Sequence, residues 1–259
     1  MKVDLIDYTG AGHKFPDQYA GRLLAYTKNT RLTQGAESRD MIQDYSYEKL
    51  IEELEYIANT IRSSWEFINY TFEIKGVTRA FTHQFVRTRT ASFAQQTMRT
   101  ITIKDIQVSI PDSIVLGSRA YALWDSAVGK IRHVYDQLIQ EGIPPEDARG
   151  ILPTNIKTNI IAGMNLRTLA DLVGKRDNPR AQGEYTHVVK HMSNLARAVH
   201  PWTENFLYPD RTSTPELNRL LYLVRNEVIS RGMKTIGGYD IPDLKTIYKE
   251  LDMLKGVWG

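Results

Sequence analysis

The sequence contains no cysteine. That excludes a disulfide-stapled fold, thiolate metal sites and a cysteine nucleophile. No uninterrupted apolar stretch approaches the roughly 18 residues that span a bilayer. The opening MKVDLIDYTG lacks the apolar core of a signal peptide. A soluble, cytoplasmic protein without a membrane partner is therefore expected. Charge of one sign is not concentrated either: the net charge is +3, and Lys and Arg are spread along the chain. A general nucleic-acid surface, which shows a denser basic patch, is not expected. The signature of a phosphate-cradling glycine loop is missing, so nothing supports nucleoside triphosphate hydrolysis. Repeats, low-complexity runs and long linkers are absent as well.

What is present is an ordinary globular composition, with 259 residues, 42% hydrophobic and 24% charged. Such a chain can bury a substantial core unaided. KVDLIDY alternates apolar and polar residues and predicts an edge or half-buried strand. From about Ser46 to Ser63, Leu50, Ile51, Leu54, Ile57, Ala58 and Ile61 recur at helical spacing. INYTFEIKGV predicts a strand with Tyr70, Phe72 and Ile74 on one face, and TRAFTHQFVR a short helix. ITIKDIQVSIPD returns to strand alternation. A helix is predicted from about Ser118 to Gln140, and Pro145 suits a helix start. TNIKTNIIAGMN predicts a strand, with Asn165 capping the helix LRTLADLVGKR. Further helices are predicted from about Arg180 to Val199, from Thr214 to Gly232, and from Pro242. The sum is one α+β domain over residues 1–259 with a mixed sheet and long helices, and not a regular doubly wound sheet.

Two segments carry candidate chemistry. RTRTASFAQQTMR holds three arginines among hydroxyls and amides. A guanidinium offers a planar fork of donors that matches phosphate or carboxylate. Read from its residues, the stretch is either a loop wrapping an anion or a solvated basic loop. In NLRTLADLVGKRDNPRAQGEY, Arg167 and Asp171 lie four apart on one helix face. That segment is either a second part of a site or a salt-bridged helix end. Arg149 stands beside a proline-bounded strand. His187 and His191, with Glu184, could form half a metal site on one helix face, but no third ligand has convincing spacing, so no metal is expected.

Together these segments resemble the flavin-dependent thymidylate synthase family. The family signature is Arg-His-Arg, seven residues, then Ser; here the frame is Arg87-Thr88-Arg89, seven residues, then Thr97, with Arg99 also matching. ARGILPTN, MNLRTLADLVGKR, RAQGEY and HPWTENFL follow in the family's order, and the likeness runs to about Leu207. The resemblance implies the family's fold and a homotetramer with active sites where subunits meet. It implies FAD as cofactor, with NADPH and 5,10-methylenetetrahydrofolate as co-substrates. The reaction would be transfer of a one-carbon unit from the folate to C5 of dUMP, giving dTMP, without a covalent side-chain nucleophile.

Carried over by position, the resemblance assigns Ser63, Glu66, Arg87, Thr88, Arg89, Asn165, Arg167 and Asp171 to the flavin. Gln84, Gln95, Thr97, Arg99, Arg149 and Arg176 would hold the nucleotide. Arg176 and Thr97 would be catalytic, with Arg176 stabilising charge that develops on the pyrimidine ring. The chain departs from the family at Thr88 (His), Thr97 (Ser), Asp171 (Asn), Arg180 (His) and Gly183 (Trp). An ionised aspartate only accepts hydrogen bonds, and an acceptor facing the 4-position of the base would favour cytosine. Two other readings therefore stand beside dUMP methylation. One is a methylase or hydroxymethylase acting on dUMP or dCMP. The other is a non-catalytic flavin- or nucleotide-binding relative.

Overall fold

The computed structural model describes residues 1–32, 42–99, 106–176, 183–208, 235–236 and 239–240. The chain divides into two compact units, Met1–Leu207 and Tyr208–Gly259. In the second unit the described residues are two short antiparallel strands, later numbered β5 (Thr235–Ile236) and β6 (Tyr239–Asp240). The helices predicted from Thr214 and from Pro242 lie outside the described residues.

The first unit opens with strand β1 (Lys2–Tyr8), as its alternation predicts. Helix α1 (Pro16–Leu32) follows, with Asp17 in its first turn. Sequence periodicity missed this helix, because Tyr, Thr, Lys and Asn interrupt its apolar face. The turn before it needs Gly10, whose φ is +93° and where a Cβ would stand 2.8 Å from the Pro16 carbonyl oxygen. Helix α2 (Tyr47–Thr60) is capped by Ser46, whose hydroxyl accepts from the Lys49 amide, and buries Leu50, Leu54 and Ile57. A 3-10 segment, Arg62–Phe67, leads into strand β2 (Asn69–Thr78). Thr78 caps helix α3 (Arg79–Phe85). Strand β3 (Ser92–Gln95), helix α4 (Arg119–Gln140) and the short helix α5 (Pro145–Ala148) come next. Strand β4 (Lys157–Asn165), helix α6 (Leu166–Arg176), helix α7 (Gly183–Val199) and the short helix α8 (Glu204–Leu207) complete the unit.

The sheet order is β1-β2-β4-β3, and all three pairings are antiparallel. The expected mixed sheet is thus corrected. Between β1 and β2 the helices come as a packed pair, α1 with α2, which returns the chain to the end of the sheet it left. Tyr70, Phe72 and Ile74 of β2 and Ile160, Ala162 and Met164 of β4 are buried on one face. Helix α6 covers that core with Leu166, Leu169, Leu172 and Val173, and α7 with Tyr185, Val188, Val189 and Met192. Beneath them His200 is fully buried, with Tyr70 Oη 2.8 Å from its Nδ1 and the Thr9 carbonyl oxygen 3.0 Å from its Nε2. A smaller cluster of Ile106, Tyr135, Ala148 and Ile156 seats α4.

ITIKDIQVSIPD lies only partly among the described residues. There it contributes an isolated bridge, Val108 to Ile156, in place of a strand. Helix α7 begins at Gly183, whereas Arg180 to Gln182 lie outside the described residues. The larger correction concerns the arginine stretch. Its middle, Ser92–Gln95, is no loop but the edge strand β3, paired with β4 from Ser92↔Gly163 to Gln95↔Ile160. Four residues with one large apolar side chain, Phe93, carry too little alternation to announce a strand. Phe93 nevertheless anchors it, edge-to-face on Phe85 with ring centroids 5.0 Å apart.

Candidate functional site

Strand β3 splits the arginine stretch into two ends with different surroundings. At the first end, Arg87 and Arg89 follow α3 and are exposed, with no side-chain partner among the described residues. The hydroxyl of Thr90 lies 3.0 Å from that of Thr168 in the first turn of α6. This ties the first end to the turn that Asn165 caps by accepting from the Thr168 amide at 2.9 Å. Two residues on, Arg167 pairs with Glu66 at 2.7 Å. One turn further along α6, Asp171 pairs with Arg62 at 2.9 Å. Spacing of four on both elements therefore makes two parallel ion pairs between the 3-10 segment and α6. Ser63 is exposed between them. Of the side chains assigned to the flavin by resemblance, Glu66, Asn165, Arg167 and Asp171 make these contacts.

At the second end, Thr97 accepts from the Arg99 amide at 3.2 Å. Arg99 is exposed and reaches Glu146 at 3.9 Å. Arg149 Nε donates to the Glu146 carbonyl at 3.1 Å. Gln95 Nε2 donates to the Thr82 hydroxyl at 2.8 Å. Gln84 is half-buried on α3. The residue that sequence reasoning missed here is Arg79. Its Nη2 donates to the Gln96 carbonyl at 2.7 Å, while its Nε is buried without a partner. Burial, and after it the neighbouring Arg149, push its guanidinium below the ordinary range. The available signal was a cation at the first position of a helix, where the helix dipole disfavours positive charge. An arginine held there, beside another arginine, calls for an anion.

Arg176 is the last residue of α6. Its guanidinium carbon sits 4.4 Å from the centroid of the Tyr185 ring. Tyr185, in the first turn of α7, is 1% exposed. Burial pushes its phenol up, and hydrogen bonds from Thr88 and Arg176 draw it back.

Asp171, which shares a helix face with Arg167, pairs instead with Arg62. Glu184 is committed to Thr78, accepting from its amide at 2.9 Å and its hydroxyl at 2.5 Å, while His187 and His191 are exposed. Among the described residues no group of three His, Asp or Glu side chains could hold a metal. Among them, too, no helix is long and apolar enough to cross a membrane. A cavity of about 640 Å³ lies elsewhere, between the start of α1 and Ile42, and shares no lining residue with the arginine stretch.

A sheet edge and two helix ends present arginines, hydroxyls and amides in two groups, a donor set that suits anionic ligands. The family model described as "Thymidylate synthase complementing protein" matches residues 4–202, and the chain belongs to that family. Curated relatives include the flavin-dependent thymidylate synthase of Geobacter sulfurreducens, 35% identical over 142 residues, covering 54% of this chain and 61% of the relative. That of Pyrococcus furiosus is 39% identical over 137 residues, 51% of this chain and 56% of the relative. That of Sulfurisphaera tokodaii is 31% identical over 217 residues, 81% of this chain and 79% of the relative. The chain thus spans about three fifths of the length of the first two and about four fifths of the third.

Proposed function

We propose that the chain is a flavin-dependent thymidylate synthase, which transfers a one-carbon unit from 5,10-methylenetetrahydrofolate to C5 of dUMP. The observation that carries this reading is the tie of the Arg87-Thr88-Arg89 segment, through Thr90 and Thr168, to the helix that ends at Arg176. FAD, when bound, supplies hydride chemistry, with NADPH as the source of electrons. The residues present fit that group. Arg87 and Arg89 expose two donor forks suited to a diphosphate, and Ser63, Glu66, Asn165 and Arg167 offer further polar atoms. At the other end Arg79, Arg99 and Arg149, with Gln84, Gln95 and Thr97, suit the phosphate and sugar of a nucleoside monophosphate.

Arg176 does the electrostatic work on the base. C5 of uracil becomes nucleophilic only when electron density is pushed into the ring, and a guanidinium at the ring's polar edge stabilises the charge that then develops. No side chain has to form a covalent bond, which agrees with a chain that has no cysteine. The remaining task of the protein is orientation and exclusion of water. A homotetramer completes this reading. Arg87, Arg89 and Arg99 face solvent in the single chain, and α4 leaves Leu123 66% and Val134 42% exposed, with Leu116 at 69% before it. An apolar surface of that kind is what a second copy would cover.

The reading that favours cytosine loses its motive, since the Asp171 carboxylate is engaged by Arg62. Mass spectrometry of nucleotide products decides the matter. The protein is given FAD, NADPH and methylenetetrahydrofolate without oxygen, with dUMP and dCMP in parallel. Methylated dUMP is expected. A hydroxymethylated base, a product from dCMP alone, or no product from either would overturn the proposal.

A further inference from the structure

We propose that the cavity beside the start of α1 is a second binding site, for an aromatic anion: a planar ring that carries a phosphate or a carboxylate. The inference goes beyond the function proposed above and does not depend on it, because the cavity shares no lining residue with the arginine stretch.

The cavity measures about 640 Å³, within the usual range of small-molecule sites. Its lining is made of rings and cations. His13 and Tyr19 stack with centroids 3.8 Å apart and planes 18° from parallel, which makes a flat platform. Phe15, 52% exposed, and Tyr26 add two further rings. Lys14 and Arg22 bring the charge. Among the described residues no carboxylate lines the cavity, and Asp17 of the first turn of α1 is not part of its wall.

Neither cation is neutralised. Arg22 is half-buried, and its one hydrogen bond among the described residues runs from Nη2 to the Tyr45 carbonyl at 3.4 Å, long for such a bond. Its Nε is buried without a partner. Lys14 lies 5.3 Å from the centroid of the Phe15 ring and makes no ion pair among the described residues. A guanidinium drawn out of water without a counter-charge is costly, and an anion in the cavity would offset that cost. The fork of Arg22 and the point charge of Lys14 suit phosphate or carboxylate oxygens. The positive end of α1 favours the same sign. The rings beside these cations give the aromatic half of the ligand a surface to stack on.

The wall stands ready-made. Tyr19, Arg22 and Tyr26 recur at spacings of three and four, so one face of α1 presents all three. That helix is held on two sides. A Cβ at Gly21 would stand 3.1 Å from Leu54 Cδ1, so close does α1 lie on α2. Trp202 Nε1 donates to the Asp17 carbonyl at 3.0 Å. A ligand therefore meets a face that it does not have to order, which favours binding.

The test uses the full chain loaded with FAD and saturated with dUMP, so that the arginine stretch is already occupied. Calorimetry follows four probes: AMP, p-aminobenzoylglutamate, adenosine and inorganic phosphate. AMP or p-aminobenzoylglutamate should bind one per chain with a Kd below about 1 mM. Which of the two binds more tightly tells a phosphate source from a carboxylate source. Adenosine and phosphate, each offering half of the recognised chemistry, should bind at least about tenfold more weakly. Arg22→Gln and Lys14→Gln should each weaken the charged aromatic probe about tenfold, as loss of a charge-assisted contact does. Turnover of dUMP in both variants should stay within about twofold of the parent. Absence of binding by both charged aromatic probes at millimolar concentration would overturn the inference. So would adenosine binding as tightly as AMP, or an affinity that the variants leave unchanged. Lys14 is exposed, so Lys14→Gln keeps the test decisive if Arg22→Gln does not fold. A parent chain that forms no dTMP removes the proposed reaction and leaves this inference standing, since binding is read directly.

Discussion

The buried imidazole of His200 makes the stability of this protein depend on pH in a way that can be worked out in advance. Thr9 offers only a carbonyl oxygen to Nε2, so Nε2 must carry the proton and Nδ1 accepts from the Tyr70 hydroxyl. The ring is therefore neutral in the folded chain. Burial lowers its pKa from 6.5 to about 4, opposed by the Thr9 carbonyl and the distant Asp17. In the unfolded chain the same ring takes up a proton near pH 6.5. Between those values the unfolded state binds more protons, so stability is full above about pH 7 and is lost as pH falls from there toward 4. At about 1.4 kcal/mol per pH unit the full loss is about 3 kcal/mol, of which about 2 kcal/mol falls between pH 7 and 5. That upper window is the useful one, because most carboxylates are still ionised in it. Urea unfolding at pH 7, 6 and 5 measures the loss directly, and a His200→Gln variant, less stable throughout, should lack this part of the slope. Equal slopes in the two proteins, or an imidazole resonance of His200 titrating near 6.5 in the folded state, would refute the reasoning.

Three further outcomes follow from the structure. Arg79→Gln should weaken dUMP binding about tenfold by removing a charge-assisted contact to phosphate, as read by calorimetry; unchanged affinity would remove Arg79 from the site. Asp171→Asn breaks an exposed ion pair and should cost less than about 1 kcal/mol of stability. The same variant should leave the preference for dUMP over dCMP unchanged, and a switch toward either base would return Asp171 to the specificity question. Gly10→Ala places a side chain at φ +93° and 2.8 Å from a backbone oxygen, and should lower stability by about 1–3 kcal/mol in urea; no change would mean that the turn before α1 can rearrange.

Much of the fold was legible because its signals were strong. Tyr70, Phe72 and Ile74 alternate cleanly, Ser46 and Asn165 stand where caps belong, and both helices that they cap form. What escaped were the elements whose burial is decided by partners distant in sequence. Helix α1 shows little amphipathic pattern, and β3 becomes a strand only because β4 lies beside it. The direction of pairing in the sheet was illegible for the same reason. Within the site, the arginines of the signature frame were readable as an anion-binding set, but their neighbours were not. Arg62 as the partner of Asp171, Arg79 beside Arg149, and Tyr185 under Arg176 are relations across 109, 70 and 9 positions, and no local pattern encodes them. Their residue types were visible; which of them met was not.

The four residues of β3 act as a ruler laid between the two ends of the arginine stretch. Its pairs with β4 fix a length of about 10 Å over three steps. They also fix a phase, because neighbouring side chains point to opposite faces. Adding or removing one residue between Thr88 and Thr97 would lift Phe93 off Phe85 and turn every following side chain over. Exchanging one hydroxyl-bearing or hydrogen-bonding residue for another at either end would do neither. On this sheet edge the interval between the two ends is a stricter requirement than the identity of the residues that mark them, which is how a chain with threonine at both marks can keep both groups of arginines in their places.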